Sequence, residues 1–135
     1  MPATELTVAE WISLFSHVKK WLANLRRAKQ QRKRESKEAL RSVITAIRET
    51  EVYVRQLRES GKKSLKIERK LAVRWTNLSF RLEDLGISGL AKRCQIKGKY
   101  WADQSRFTRD FLDKAGTRLP DIERSALLTL KQIDN

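Results

Sequence analysis

Cysteine, histidine, proline and glycine are all scarce in this chain. Cys94 is the only cysteine among 135 residues, so the chain can close no disulfide on itself, as expected in a reducing compartment. Leu90, Ala91 and Cys94 fall on one apolar helical face, which makes Cys94 a small buried hydrophobe rather than a reactive thiol. His17 is the single histidine, too few for a His-dependent metal site or for the Glu-x-x-His pairs of di-iron bundles. It lies beside the apolar stripe of the first helix, where a packed or half-exposed role is expected. With 5 Gly and 2 Pro, long stretches contain neither breaker, which argues against a loop-rich all-β fold.

Long apolar runs are missing too. A membrane span needs about 20 apolar residues, and the stretch from Val8 to Leu25 is interrupted by His17, Lys19, Lys20 and Asn24. Glu5 and Glu10 stand where a secretory signal would carry basic residues. These features predict a cytoplasmic protein without integral membrane association. No phosphate-cradling glycine loop, nucleophile elbow or Cys/His cluster is present. Glu49 and Glu51 are two residues apart and leave a helix on different faces, so an ion pair of Glu51 with Arg74 or Arg81 is expected instead of a Mg²⁺ site. No enzyme, cofactor or metal is expected.

What is present is helical. Hydrophobic residues make up 40% of the chain, and the rest is rich in Lys, Arg, Glu and Gln, all good helix formers. Thr7 and Glu10 have the spacing of a capping box. Trp11, Val18 and Leu25 then recur every seven residues, as do Leu14, Trp21 and Ala28; Phe15 and Leu22 widen the stripe. A second helix carries Leu40, Ile47 and Val54 in one row and Val43, Thr50 and Leu57 in another, and stops at Ser60-Gly61. A third begins near Ser64 and presents Leu71, Trp75, Leu78, Leu82 and Leu85 before Gly86. A short helix from about Ser88 to Lys97 is closed by Gly98. Phe111, Ala115, Leu119, Ile122, Ala126, Leu130 and Ile133 keep helical phase across Gly116 and Pro120, which favours one kinked helix from Thr108 over two shorter ones with Pro120 in the first turn of the second. Residues 26–38 contain neither Gly nor Pro, but Arg32 takes the place of the next apolar residue. A break near Gln31 to Ser36 is therefore expected. The fold class read from these stripes is all-α: an antiparallel four-helix bundle in one domain, 1–135, with an additional short helix between the third and fourth long helices. Its core is expected to hold Trp11, Val18, Leu22, Leu25, Leu40, Ile47, Val54, Leu71, Trp75, Leu78 and Leu82.

The net charge is +14, and it is uneven. Residues 26–41 hold eight Lys/Arg against two Glu, residues 55–74 the same, and residues 92–99 four Lys/Arg and no acid. In an up-down-up topology the first and third clusters are expected at one bundle end and the second at the other. Such potentials attract polyanions by counterion release. The favoured reading is a non-catalytic protein binding RNA or DNA through its backbone, with Arg26, Arg27, Arg32, Lys33, Arg34, Lys37, Lys92, Arg93, Lys97 and Lys99 as contacts. Against it stand a protein-interaction module docking an acidic partner or a second copy as a homodimer, and an amphipathic first helix lying on an anionic membrane. Tyr100 and Trp101 beside Lys97 and Lys99 have the interleaving of a single-strand binder, although Trp101 is expected to fold back and plug the core.

Overall fold

A computed structural model describes the backbone of residues 8–134, with all of those side chains except 9–18, 21 and 22. The described residues form helices and turns, with no strand among them: α1 (Val8–Ser60), α2 (Leu65–Asp84), α3 (Ser88–Ala102), a 3₁₀ turn at Gln104–Arg106, α4 (Arg109–Lys114) and α5 (Leu119–Asp134). Two compact units meet between Arg34 and Glu35.

In the first unit, the helical assignment of α1 runs without a break through residues 26–34. The expected break at Gln31 to Ser36 is thus corrected. Losing the apolar seam ends burial but does not end a helix, and Arg, Lys, Gln, Glu and Ala all favour helical backbone. Leu25, expected in the core, is 38% exposed; its row continues into Arg32, so no apolar side chain follows it. The expectations for the Thr7–Glu10 capping box, Trp11, His17, Val18 and Leu22 lie outside the described residues.

In the second unit, one core gathers side chains from four helical segments. Ala39, Leu40, Val43, Ala46, Ile47 and Tyr53 come from α1, and Leu71, Trp75, Leu78 and Leu82 from α2. Leu90, Ala91, Cys94 and Trp101 come from α3, and Ile122 and Ala126 from α5. Paired residues give the directions. Glu38 meets Arg81, Glu49 meets Arg74 and Thr50 meets Trp75, while Tyr53 meets Glu68, so α2 runs antiparallel to α1. Arg48 meets Glu123 and Lys37 meets Asp134, so α5 is also antiparallel to α1.

Six of the expected core residues, Leu40, Ile47, Leu71, Trp75, Leu78 and Leu82, are buried. Val54 is not, at 39% exposed. It keeps the phase of the stripe, but α5 first reaches it at Leu119, and the two residues border open hollows instead of a packed layer. Thr50 replaces an aliphatic side chain in the core because its hydroxyl both donates and accepts there. It donates to the Ala46 carbonyl at 2.7 Å and accepts the Trp75 indole N–H at 3.0 Å, which removes the cost of burying both groups.

The helix ends follow local rules. Gly61 has φ 67°, and Ser64 caps α2 by accepting the Ile67 N–H at 3.3 Å. Gly116, also at φ 67°, closes α4 with a Schellman pair: Thr117 N–H to Leu112 O at 3.2 Å and Gly116 N–H to Asp113 O at 3.2 Å. This overturns the expectation of one kinked helix. The chain makes two helices, and Pro120 lies in the first turn of α5, where its missing N–H has no intrahelical role.

Gly98 does not end a helix either, since α3 continues through it to Ala102. A Cβ added there would lie 2.3 Å from Thr76 Oγ1, 3.1 Å from Thr76 N and 3.2 Å from Ala72 O. The glycine instead allows the backbones of α3 and α2 to approach closely. Glu51, expected to reach across to α2, pairs within α1 to Arg48 at 2.7 Å, and it is Glu49 that binds Arg74 at 2.9 Å.

Candidate nucleic-acid interface

The basic residues fall into three settings. On the first unit, residues 26–34 hold six Lys/Arg and no acid, and all nine are exposed on helical backbone. Arg26, Arg27, Lys29, Arg32, Lys33 and Arg34 are thus displayed around a helix rather than on a loop. An extended polyanion meeting such a helix finds a cation on nearly every turn.

The second setting surrounds the α1–α2 turn. Arg55, Arg58, Lys62, Lys63, Lys66, Arg69 and Lys70 are all exposed. None of them takes part in an ion pair among the described residues, in contrast to Arg48, Arg74, Arg81, Arg118 and Arg124. The sequence pairs Glu59 and Glu68 with these cations on paper. In the structure Glu68 is buried: its carboxylate accepts the Tyr53 hydroxyl at 2.5 Å and the Gln104 side-chain N–H at 3.1 Å. The Tyr53 oxygen in turn accepts the Ser64 N–H at 3.0 Å. Burial, and then the hydrogen bond to Glu68, push the Tyr53 phenol above its ordinary pKa. One of the two acids of this segment is therefore turned inward to hold the turn, and the outer surface is more positive than the count implies. Sequence reasoning registered the charge of this segment but named none of its residues as contacts. The available signal was the isolation of Glu68 on the apolar side of α2, four residues after the cap Ser64.

The third setting, residues 92–99 on α3, does not form one cluster. Lys92 and Lys99 are exposed and seven residues apart, on one face. Arg93 and Lys97 are half-buried on another. Arg93 lies along Gly116 in the α4–α5 turn, its Nε 3.4 Å from where a Cβ would stand. Lys97 lies over the Tyr100 ring at 5.4 Å in the wall of a cavity. These residues are strung along α3: Gly98 is level with Ala72 and Thr76, whereas Lys92 borders a hollow with Ser79 and Glu83. Lys37 is half-buried and ion-paired to Asp134, which makes it a poor phosphate ligand.

Trp101 is buried on α3, edge-on to Tyr53 at 5.7 Å and to Tyr100 at 5.2 Å. It plugs the core, as expected, and offers no stacking face to a partner. Burial pushes the Cys94 thiol up to about 12, so no nucleophilic thiolate forms near neutrality. Among the described residues no group of His, Cys, Asp and Glu side chains could hold a metal ion, and no helix is long and apolar enough to cross a membrane. No family model matches the chain, and no curated protein or solved structure is significantly similar to it.

Proposed function

We propose that this protein binds nucleic acid through the phosphate backbone, without catalysis and with weak sequence preference. The observation that carries the reading is the set of seven exposed cations around the α1–α2 turn that have no acidic partner, beside a neighbouring glutamate committed to a buried hydrogen-bond network. Exposed basic residues that merely solvate a helix are normally interleaved with acids at i, i+3 and i+4; here Glu59 is the one exposed acid left in residues 55–70, against seven exposed cations. The basic helix of residues 26–34 adds a second surface of the same chemistry. In this reading residues 35–60 with α2, α3 and α5 form a four-helix bundle whose role is to hold the α1–α2 turn rigid, so that the cations need no ordering on binding.

Engaging about six phosphates makes affinity fall roughly a thousandfold between 50 and 200 mM salt. The test is a gel-shift titration with random single- and double-stranded DNA and RNA at those two salt concentrations. Two triple variants are compared: Arg32, Lys33 and Arg34 to Gln, and Lys62, Lys63 and Lys66 to Gln. Each is expected to weaken binding alike for unrelated sequences and to lower the salt slope by about three. Absence of binding at 50 mM salt, or binding that neither variant alters, would transfer the basic surfaces to an acidic protein partner.

A further inference from the structure

The second unit contains a cavity of about 380 Å³ bordered by α1, the end of α3, the 3₁₀ turn, α4 and the start of α5. Its volume is within the range of small-molecule sites, about 300–1,000 Å³. Its charge is unbalanced: Lys97, Arg109 and Arg118 line it against a single acid, Asp113. Arg118 is already bound to Asp113 at 3.0 Å. Lys97 has no ion pair among the described residues, and Arg109 makes none at close range, although its charge also acts on Asp113. The polar neighbours carry no charge to balance them: Thr50 and Thr117 are bonded to backbone carbonyls and Gln104 to Glu68. The remaining wall is apolar or aromatic, including Tyr100, Phe107 and Leu119.

A half-buried ammonium without a counter-ion is a costly arrangement. A bound dianion would offset the cost and match the net excess of two positive charges. Arg109 is exposed at the rim, where its planar guanidinium can take two oxygens of one phosphate side by side. We propose that this cavity is a binding site for a terminal phosphate monoester on a planar or apolar body of about mononucleotide size. Lys97 and Arg109 hold the phosphate, and Tyr100 and Phe107 face the body. The site does not depend on the basic surfaces described above, so it extends that reading instead of resting on it.

A pH signature accompanies the site. Desolvation lowers the Lys97 ammonium to about 8. The charged or titratable groups around it are Arg93, Cys94 and Tyr100 on α3, Arg109 and Asp113 on α4, and Arg118 before α5, while α1 supplies only uncharged Thr50 and Val54. Between pH 7 and 9 a phosphate monoester stays dianionic, its second pKa being about 6, so the proton that changes is that of Lys97.

Calorimetric titration of the full chain with adenosine monophosphate, inorganic phosphate and adenosine separates head from body. Adenosine monophosphate is expected to bind more tightly than either fragment, and several-fold more weakly at pH 9 than at pH 7. Lys97→Met and, at the exposed rim, Arg109→Gln are each expected to weaken it by about tenfold. The Lys62, Lys63 and Lys66 to Gln variant should leave it unchanged, even where nucleic-acid binding is lost. Competition by an oligonucleotide carrying a 5′-phosphate, but not by its 5′-hydroxyl form, would identify a strand end as the source; indifference to both would identify a free nucleotide. Three outcomes overturn the proposal: no binding of adenosine monophosphate at millimolar concentration, phosphate binding as tightly as the nucleotide, or binding untouched by both Lys97→Met and Arg109→Gln.

Discussion

Gly98 and Gly89 lie on the same helix, and the same substitution at the two positions is expected to have opposite effects. Replacing a helical glycine by alanine gains about 0.8–1.0 kcal/mol when nothing opposes it. At Gly89, in the first turn of α3, an added Cβ meets no atom within 4 Å, so Gly89→Ala should stabilise by up to about that amount. At Gly98 the new methyl would lie 2.3 Å from Thr76 Oγ1, and that contact can be relieved by rotating the threonine. The contacts at 3.1 Å to Thr76 N and 3.2 Å to Ala72 O involve backbone, and relief there requires α2 and α3 to separate by a few tenths of an ångström along their packed length. Overpacking of this kind costs about 1–3 kcal/mol. After the helical gain, Gly98→Ala should be neutral to destabilising by about 2 kcal/mol, leaving a difference of about 1–3 kcal/mol from Gly89→Ala. Urea unfolding followed by far-ultraviolet circular dichroism measures both. Adding Thr76→Ala to Gly98→Ala should recover part of the loss but not all of it, since the backbone contacts persist. If Gly98→Ala stabilises as much as Gly89→Ala, the close approach of α2 and α3 is wrong.

Three further outcomes are expected. Ile47→Ala should destabilise by about 2–4 kcal/mol because the fully buried side chain leaves a cavity, whereas Arg32→Ala on the exposed helix should stay within about 0.5 kcal/mol; equal effects in denaturant would refute the burial pattern. Tyr53→Phe removes the donor to buried Glu68 and the acceptor of the Ser64 N–H, so a loss of about 1–3 kcal/mol is expected in the same assay, and a change below about 0.5 kcal/mol would mean the network is not formed. Lys97 has a folded pKa of about 8 against about 10.4 unfolded, so the unfolded chain binds more protons between those values and stability should rise with pH across that window. Chemical denaturation from pH 7.5 to 10.5 should show this rise in the parent relative to Lys97→Met, and parallel curves would contradict desolvation of the amine.

Much of this architecture was legible locally. The stops at Gly61 and Gly86 and the start at Ser64 follow from backbone conformations that glycine adopts cheaply and from a hydroxyl able to cap a first turn. Leu40, Ile47, Leu71, Trp75, Leu78 and Leu82 could be placed inside because helical periodicity is a property of a single segment. The helix content was decided in the same way, by residue types acting over a few turns.

Other features depended on what each segment packs against. Residues 26–38 lose their apolar stripe yet remain helical, since periodicity reports burial and backbone preference is a separate quantity. Gly98 has the composition of a helix stop, but only the presence of Thr76 and Ala72 makes it a contact between helices. Lys92 and Lys97 are five residues apart with the same charge; one is exposed and the other is half-buried in the wall of a cavity that residues distant in the chain complete. Glu68 balances its neighbours in a charge count and does not do so in space, once Tyr53 and Gln104 hold its carboxylate inward. The sequence by itself determined that the chain is helical and where the basic residues cluster along it. Which charges reach solvent, and which are spent on holding the fold, was decided by tertiary packing, because burial and ion pairing depend on residues distant in the chain.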